Sequence, residues 1–349
     1  MENEIKISVV IPVYNSSSQL IKTIQSIYDQ HFTSYEILLI NDGSTSSKSL
    51  SLYENIVRDF SKVKLINKKN EGVVRARISG IKQATGNYII FSDHDDIYLE
   101  QGFKKLVDAA TKSNADIVVA NAFSKTISWL PLKSRVLGIF SHAIIEKDIL
   151  LKKQYLNFFG YNQFPVATWG KLYKSALLKN IDWDIYDYNF CDDIILNIQI
   201  FYNADLVEFI PDIIYTHNYG GITSISDVEV LFKGYADVYN LKSKYIELSD
   251  NQENKKFVFF ELKNIYHIGL YKFFENVDRD ENVIKSSLMK FRDTTAFADL
   301  SSFYDQKDNL INLLNREDYD EIIKIGKNHY TSNFVRIKIK NILKKMLTI

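Results

Sequence analysis

Strand and helix signals alternate through the first 120 residues, and no other feature limits the fold of this chain as tightly. Ile5–Ile11 is a continuous apolar run closed by Pro12, the pattern of a strand buried on both faces. Leu20, Ile24, Ile27 and Tyr28 then recur at helical spacing. Tyr35–Ile40 reads as a second strand, ended by Asn41-Asp42-Gly43-Ser44, and Leu52, Tyr53, Ile56, Val57 and Phe60 make another helical face. Val63–Ile66 is a third strand, and a helical segment from about Val73 to Ala84 stops at Gly86. Tyr88–Phe91 is a fourth strand, and Phe103, Leu106, Val107 and Ala110 form one more helix before the strand Asp116–Ala120. Five strands separated by helices or compact connections predict an α/β fold with a doubly wound, mostly parallel, Rossmann-like sheet.

In such sheets ligands sit beyond the carboxyl ends of the strands. The polar residues at those ends are Asn15, Asp42, and Asp93 with Asp95, so residues distant in sequence are expected around one crevice. The alternation fades after about residue 122. Residues 122–225 are mixed and rich in aromatics, and from about 226 helical spacing dominates, as in Phe257, Phe260, Leu262, Ile265, Ile268, Gly269 and Phe273.

Composition is that of an ordinary globular chain, 46% hydrophobic and 25% charged. The single cysteine, Cys191, allows no internal disulfide and fits a reducing, cytoplasmic setting. The start, MENEIKISVV, lacks a basic region ahead of a long apolar run, so no signal peptide is expected, and no stretch reaches bilayer-spanning length. Net charge is zero but unevenly placed: Ile322–Ile349 carries seven Lys or Arg and no acid, leaving 36 basic and 43 acidic residues in the body.

The segment FSDHDD (Phe91–Asp96) is the sharpest chemical signal. Three carboxylates within four residues repel one another unless something compensates. A divalent cation, Mn2+ or Mg2+, bound together with a diphosphate does so, since such ions take one or two carboxylates plus phosphate oxygens. The competing account is a solvated acidic turn before a helix; a position after a buried strand of a doubly wound sheet favours the site. Asp42 either forms a turn or accepts a base N–H such as N3–H of uracil. Tyr14 either stacks on that base or packs in the core. Asn70-Glu71-Gly72 precedes Arg75 and Arg77; an arginine here pairs with the acids or the diphosphate, or else is an exposed helix charge.

Together VVIPVYN, LLINDGST and NEGVVRARISGIKQATGNYIIFSDHDD closely resemble family 2 glycosyltransferases of the GT-A fold, in order and spacing, over roughly the first 100 residues. The resemblance implies a donor site that includes Pro12, Tyr14, Asn15, Asp42, Arg77 and Asp93, with Asp42 on uracil or thymine, Asp93 near the ribose and diphosphate, and Asp95 on the metal. Val74 and Ile78 stand where the family often has serine and asparagine. ATWGKLYKSALLKNI (Ala167–Ile181) resembles the Trp-x-Lys-Leu-Tyr segment of bacterial surface-polysaccharide members, which implies that Trp169 and Lys171 border the acceptor or sugar pocket; a core tryptophan beside a solvated lysine is the alternative. In FCDDIILNIQIF the family usually shows Glu-Asp, and its second acid is the expected catalytic base. That maps onto Asp193, with Asp192 in support; both also suit a helix N-terminus. In IIYTHNYGGITS the resemblance implies His217 as a further metal ligand and the two glycines as part of a closing loop.

These readings imply three parts: residues 1–121 for the nucleotide sugar, 122–225 for acceptor and base, and 226–349 a helical region with a basic tail. The expected reaction moves a sugar from a nucleotide-diphosphate donor, a UDP-sugar, to a hydroxyl of a glycan or lipid-linked acceptor in cell-surface polysaccharide synthesis. A single base without a nucleophile implies inversion. In the tail, Val335, Ile339, Ile342 and Met346 share a helical face flanked by Arg336, Lys338, Lys340, Lys344 and Lys345, which fits an anionic membrane surface and a peripheral place at the inner face of the cell membrane. The alternatives are a silent family member acting as an assembly partner, or another nucleotide-using α/β transferase. Gly-x-Gly-x-x-Gly is missing after the first strand, and no Walker loop appears. Nucleic acid is not expected as a partner, because an acidic body repels a phosphate backbone.

Overall fold

The computed structural model describes residues 5–125, 135–137, 140–160, 166–184, 191–218, 228–275, 280–304 and 307–329. Two compact units are found, Met1–Phe158 with Asn162–Gly221, and Phe159–Tyr161 with Ile222–Ile349.

The first unit is built on one sheet. Its elements run β1 (Ile7–Val13), α1 (Gln19–Tyr28), β2 (Tyr35–Asp42), α2 (Ser47–Asp59), β3 (Val63–Lys68), α3 (Val73–Gln83), β4 (Tyr88–Phe91), β5 (Ile97–Tyr98), α4 (Gly102–Ser113) and β6 (Ile117–Lys125). They continue with β7 (Arg135–Leu137), β8 (Ala143–Glu146), α5 (Lys147–Lys153), β9 (Lys171–Lys174), α6 (Ser175–Lys179), α7 (Asp192–Asn203) and β10 (Leu206–Asn218). The strand order is β3-β2-β1-β4-β9-β6-β10-β5, with β7 on β6 and β8 on β10. The pairs β1–β2, β2–β3, β1–β4 and β6–β10 are parallel; β9 is inserted antiparallel to both β4 and β6. The alternating half is therefore the parallel sheet expected from sequence.

Every residue of β1 and β2 is buried, which is why those strands are mostly apolar, with Ser8 and Glu36 as buried polar exceptions within them. Pairing of β1 with β4 ends at Val10–Phe91, so Pro12, which has no N–H to offer, falls beyond that ladder. The helix α3 lies directly on the sheet at Gly80: a Cβ there would come within 2.3 Å of Val10 Cγ1. One face of the sheet packs Ile24, Ile27, Phe103 and Leu106 of α1 and α4 against Ile7, Val9, Ile37 and Leu39. This burial is the main apolar stabilisation of the unit.

The second unit is helical, with α8 (Val228–Leu248), α9 (Lys255–Glu275), α10 (Glu281–Arg292), α11 (Thr295–Tyr304) and α12 (Asn309–Asn315), and further helical residues at 319–329. Its core includes Phe232, Tyr266, Phe291 and Phe297, whose rings pack against one another. The helical character expected from about residue 226 is thus present. Among the described residues no helix is long and apolar enough to cross a membrane. The basic amphipathic tail, Val335–Met346, and the glycines after His217 lie outside the described residues.

Candidate active site

The carboxyl ends of β2, β1 and β4 lie side by side on one edge of the sheet. Asp42 ends β2, and its carboxylate accepts from Glu71 N–H at 3.0 Å, Gly72 N–H at 2.8 Å and Lys68 Nζ at 2.6 Å. It therefore anchors the start of α3, whose N-cap is Gly72. A carboxylate has about four acceptor positions, so three bonds leave room for one base N–H. Gly43 makes this approach possible: it has φ +71°, and a Cβ there would lie 2.6 Å from the Asn70 backbone nitrogen. Asn15, itself at φ 49°, accepts from the N–H groups of Thr45 and Ser46 at 2.9 Å each and shapes the loop opposite. Tyr14 is 45% exposed beside it, which removes the core alternative for its ring. Pro12 is buried in β1, paired with Ile40.

Arg77, in the second turn of α3, is the hub of the acids. Its side chain is 3% exposed; Nη2 donates to Asp93 at 2.8 Å, and Nη1 donates to Asp192 and lies 3.8 Å from Asp193. The exposed-charge alternative for Arg77 falls. Burial opposes its charge, but the carboxylates of Asp192, Asp93 and Asp193 more than offset this and hold it protonated. Burial pushes the Asp93 carboxyl up to about 7, Arg77 opposing and Asp96, Asp193 and Asp192 reinforcing. Burial, with the neighbouring Asp192 charge, likewise raises Asp193, while Arg77 and Thr168 counter it.

A second cluster adjoins Asp93. Ligand atoms of Asp93, Asp96 and His217 lie within 4.8 Å of one another. His217 Nδ1 is 3.0 Å from Asp96 Oδ2, and Asn218 N–H donates to Asp96 Oδ1 at 2.8 Å. Burial lowers the His217 pKa, but the Asp96 hydrogen bond and the charges of Asp96, Asp93 and Asp95 carry it above the usual value. Of the two residues expected on the metal, Asp95 and His217, the histidine makes its hydrogen bond to the neighbouring acid. The fully buried Asp96, rather than Asp95, takes the histidine; Asp95 is half-buried and its backbone carbonyl accepts from Asn218 Nδ2 at 2.6 Å. Burial also raises the Asp95 carboxyl, with Asp96 adding to the effect and His94 opposing it.

Trp169 is 6% exposed and stacks on Tyr215 at 5.1 Å and on His217 at 5.2 Å, so it supports the histidine from below. The Tyr215 hydroxyl in turn accepts from Asp93 N–H at 3.2 Å. Lys171 is fully buried, which removes the solvated alternative, and its amine donates to the Ala167 carbonyl. Four contributors escaped sequence reasoning. Asp96 is visible as the third acid of FSDHDD, and Lys68 stands two residues past Ile66, the expected end of the third strand. Thr168 and Tyr215 carried no signal apart from neighbouring Trp169 and His217.

Acids gathered on an arginine at the strand ends of a mostly parallel α/β sheet occupy the place where such folds bind their ligands. The description "Glycosyl transferase family 2" matches residues 8–181, and the chain belongs to this family. It is 29% identical over 221 residues to Glycosyltransferase GlyA of Streptococcus pneumoniae, a match covering 61% of this chain and 30% of that protein. It is 28% identical over 275 residues to Cholesterol galactosyltransferase of Borreliella burgdorferi, covering 77% and 73%. The fold is that of S. aureus TarS 1–349, solved in complex with UDP-GlcNAc, with TM-score 0.64, 19% identity, and coverage of 94% of this chain and 92% of that one.

Proposed function

We propose that this chain is an inverting, metal-dependent glycosyltransferase that moves a sugar from a UDP-sugar to a hydroxyl of a glycan or lipid-linked glycan during cell-surface polysaccharide synthesis. The observation that carries the reading is the Arg77 guanidinium, which joins Asp93 from the donor half to Asp192 and Asp193 at the start of α7. Donor-side and base-side acids thereby share one site. The UDP-GlcNAc complex of TarS supports a uridine donor by analogy of fold.

Asp42 accepts the N3–H of uracil at its remaining acceptor position, and Tyr14 offers an exposed ring to the base. Asp193 takes the proton of the attacking hydroxyl as general base, and Asp192 keeps Arg77 in place. The donor set of Asp93, Asp96 and His217, with Asp95 beside it, fits a divalent cation: carboxylate oxygens suit Mg2+ and Mn2+, and the imidazole favours Mn2+. When bound, the ion stabilises the charge developing on the leaving diphosphate.

The test is Asp193→Asn assayed against a panel of UDP-, dTDP- and GDP-sugars with Mn2+ present. Transfer is expected to vanish while UDP-sugar affinity, read by calorimetry, stays within about twofold, as befits loss of a group acting only in the transition state. Wild-type turnover by the variant removes Asp193 from the mechanism, and full activity in EDTA removes the metal.

A further inference from the structure

Asp193 lies in the first turn of α7, and its Oδ1 is held by the loop that precedes β9. Thr168 supplies two donors to that one oxygen, its N–H at 2.9 Å and its hydroxyl at 2.7 Å. Two donors converging from one residue fix the orientation of the carboxylate and leave Oδ2 as the oxygen for a proton.

The loop itself has little freedom. The Val166 carbonyl accepts from Asn197 Nδ2 at 2.6 Å, the Ala167 carbonyl from Lys171 Nζ, and the Gly170 carbonyl from Ala120 N–H at 3.0 Å. The Tyr173 hydroxyl lies 3.1 Å from the Thr168 carbonyl and 2.8 Å from Asn197 Oδ1. Asn197 follows Asp193 by four residues on α7, so both emerge from one face of the helix and grip the loop at Val166 and Thr168. Thr168, Lys171 and Asn197 are all fully buried.

A buried lysine is costly unless something answers its charge. Burial pushes the Lys171 amine down to about 7, and the charge that opposes this is Asp193. The charged groups facing Asp193 are thus Asp192 on its own helix, Arg77 from α3, Lys171 from β9, and Asp93.

We propose that Thr168 and Lys171 are positioning residues for the base: Thr168 locks Oδ1 so that Oδ2 meets the acceptor hydroxyl, and Lys171, bonded to the Ala167 carbonyl, braces the loop that presents Thr168. The inference rests on the assignment of Asp193 as base. In the step itself the hydroxyl proton passes to Asp193 Oδ2, and the hydroxyl oxygen's electron pair forms the new bond to the anomeric carbon. The bond from that carbon to the diphosphate oxygen breaks, its pair leaving with the nucleoside diphosphate. Thr168 and Lys171 exchange no proton.

Thr168→Val keeps the branched shape and deletes the hydroxyl. The single-turnover rate is expected to fall about tenfold, with the acidic limb of its pH profile displaced upward by about one unit, because a donor to the ionised base is lost. Thr168→Ser restores both. Lys171→Met displaces the same limb upward by freeing the loop that holds Thr168 against the base. UDP affinity by calorimetry, unchanged in each variant, reports an intact fold; if the valine variant fails that check, Thr168→Ala carries the same expectation. A wild-type rate and limb in Thr168→Val overturn the proposal, as does a rate loss with the limb unmoved that serine does not restore. An unmoved limb in Lys171→Met removes the lysine from it. Asp193→Asn in the same series separates the two readings: if it turns over, the base assignment has failed, whereas if it is dead while the Thr168 and Lys171 variants behave as wild type, only the positioning has failed.

Discussion

A guanidinium enclosed by Asp93, Asp192 and Asp193 is placed by geometry as much as by charge, because its two terminal nitrogens point to acids from different parts of the chain. Arg77→Lys keeps the charge but offers a single ammonium, which cannot reach Asp93 and Asp192 along two fixed directions. The expected result is a fall of about 100-fold in kcat/KM, the size of effect that follows from losing one charge-assisted bond and loosening the base. Steady-state assays decide it, and a lysine variant with wild-type kcat/KM shows that the fork is dispensable. At this scale the sequence revealed the acids but not their division of labour. FSDHDD names Asp93, Asp95 and Asp96 equally, and only the strand register of β10 against β5 and β6 decides which of them lies under His217. The burial of Lys171 was hidden for the same reason: the face of a four-residue strand cannot be told from KLYK, where two adjacent apolar residues sit between two lysines and no period shows.

Elements are tied together behind the site by Glu36, and this tie has a pH signature. The buried carboxylate on β2 accepts from Ser8 on β1 at 2.8 Å, from Lys64 on β3 at 2.9 Å, and from the N–H and hydroxyl of Thr85, ahead of β4, at 2.8 and 2.6 Å. Burial pushes its pKa up, but the hydrogen bonds of Thr85, Lys64 and Ser8 outweigh burial and hold it at about 2 instead of 4.5. A carboxyl depressed in the folded state stabilises the fold above its unfolded pKa and loses that contribution as pH falls toward the folded value. After a discount for the exposed Lys64, Glu36→Gln is expected to cost about 2 kcal/mol at pH 7. The gap between the two proteins in urea unfolding should close as pH drops from about 4.5 to 2; a gap that persists at pH 2 means the effect is packing and not ionisation. The strands that Glu36 joins are those the sequence made plain, since β1 and β2, parallel and buried on both faces, are mostly apolar along their length. The other half of the sheet was opaque for physical reasons. Its β5 has two residues, β9 four, and β10 changes register between Phe209 and Tyr215, around Pro211, so no single alternation persists along it.

At the scale of the whole molecule the charges separate along the chain. The first unit contains every residue assigned to the site, and its acids call for cations from outside, while the last 28 residues hold seven basic groups and no acid. A basic, amphipathic end suits an enzyme whose acceptor is lipid-linked, because each Lys or Arg near an anionic surface contributes about 1 kcal/mol. Cutting the chain after Asn333 removes Arg336, Lys338, Lys340, Lys344 and Lys345 and leaves Lys324 and Lys327. Five lost cations at that rate correspond to a drop of about 5,000-fold in partitioning onto phosphatidylserine vesicles at moderate salt, with binding by the full chain weakening as salt rises. UDP affinity should be the same in both chains, since no residue of the nucleotide site is removed. Flotation of the two proteins with anionic and neutral vesicles measures this directly. Equal flotation of the shortened chain, or flotation of the full chain that ignores salt, would assign the tail's apolar face to packing within the protein instead of to a membrane.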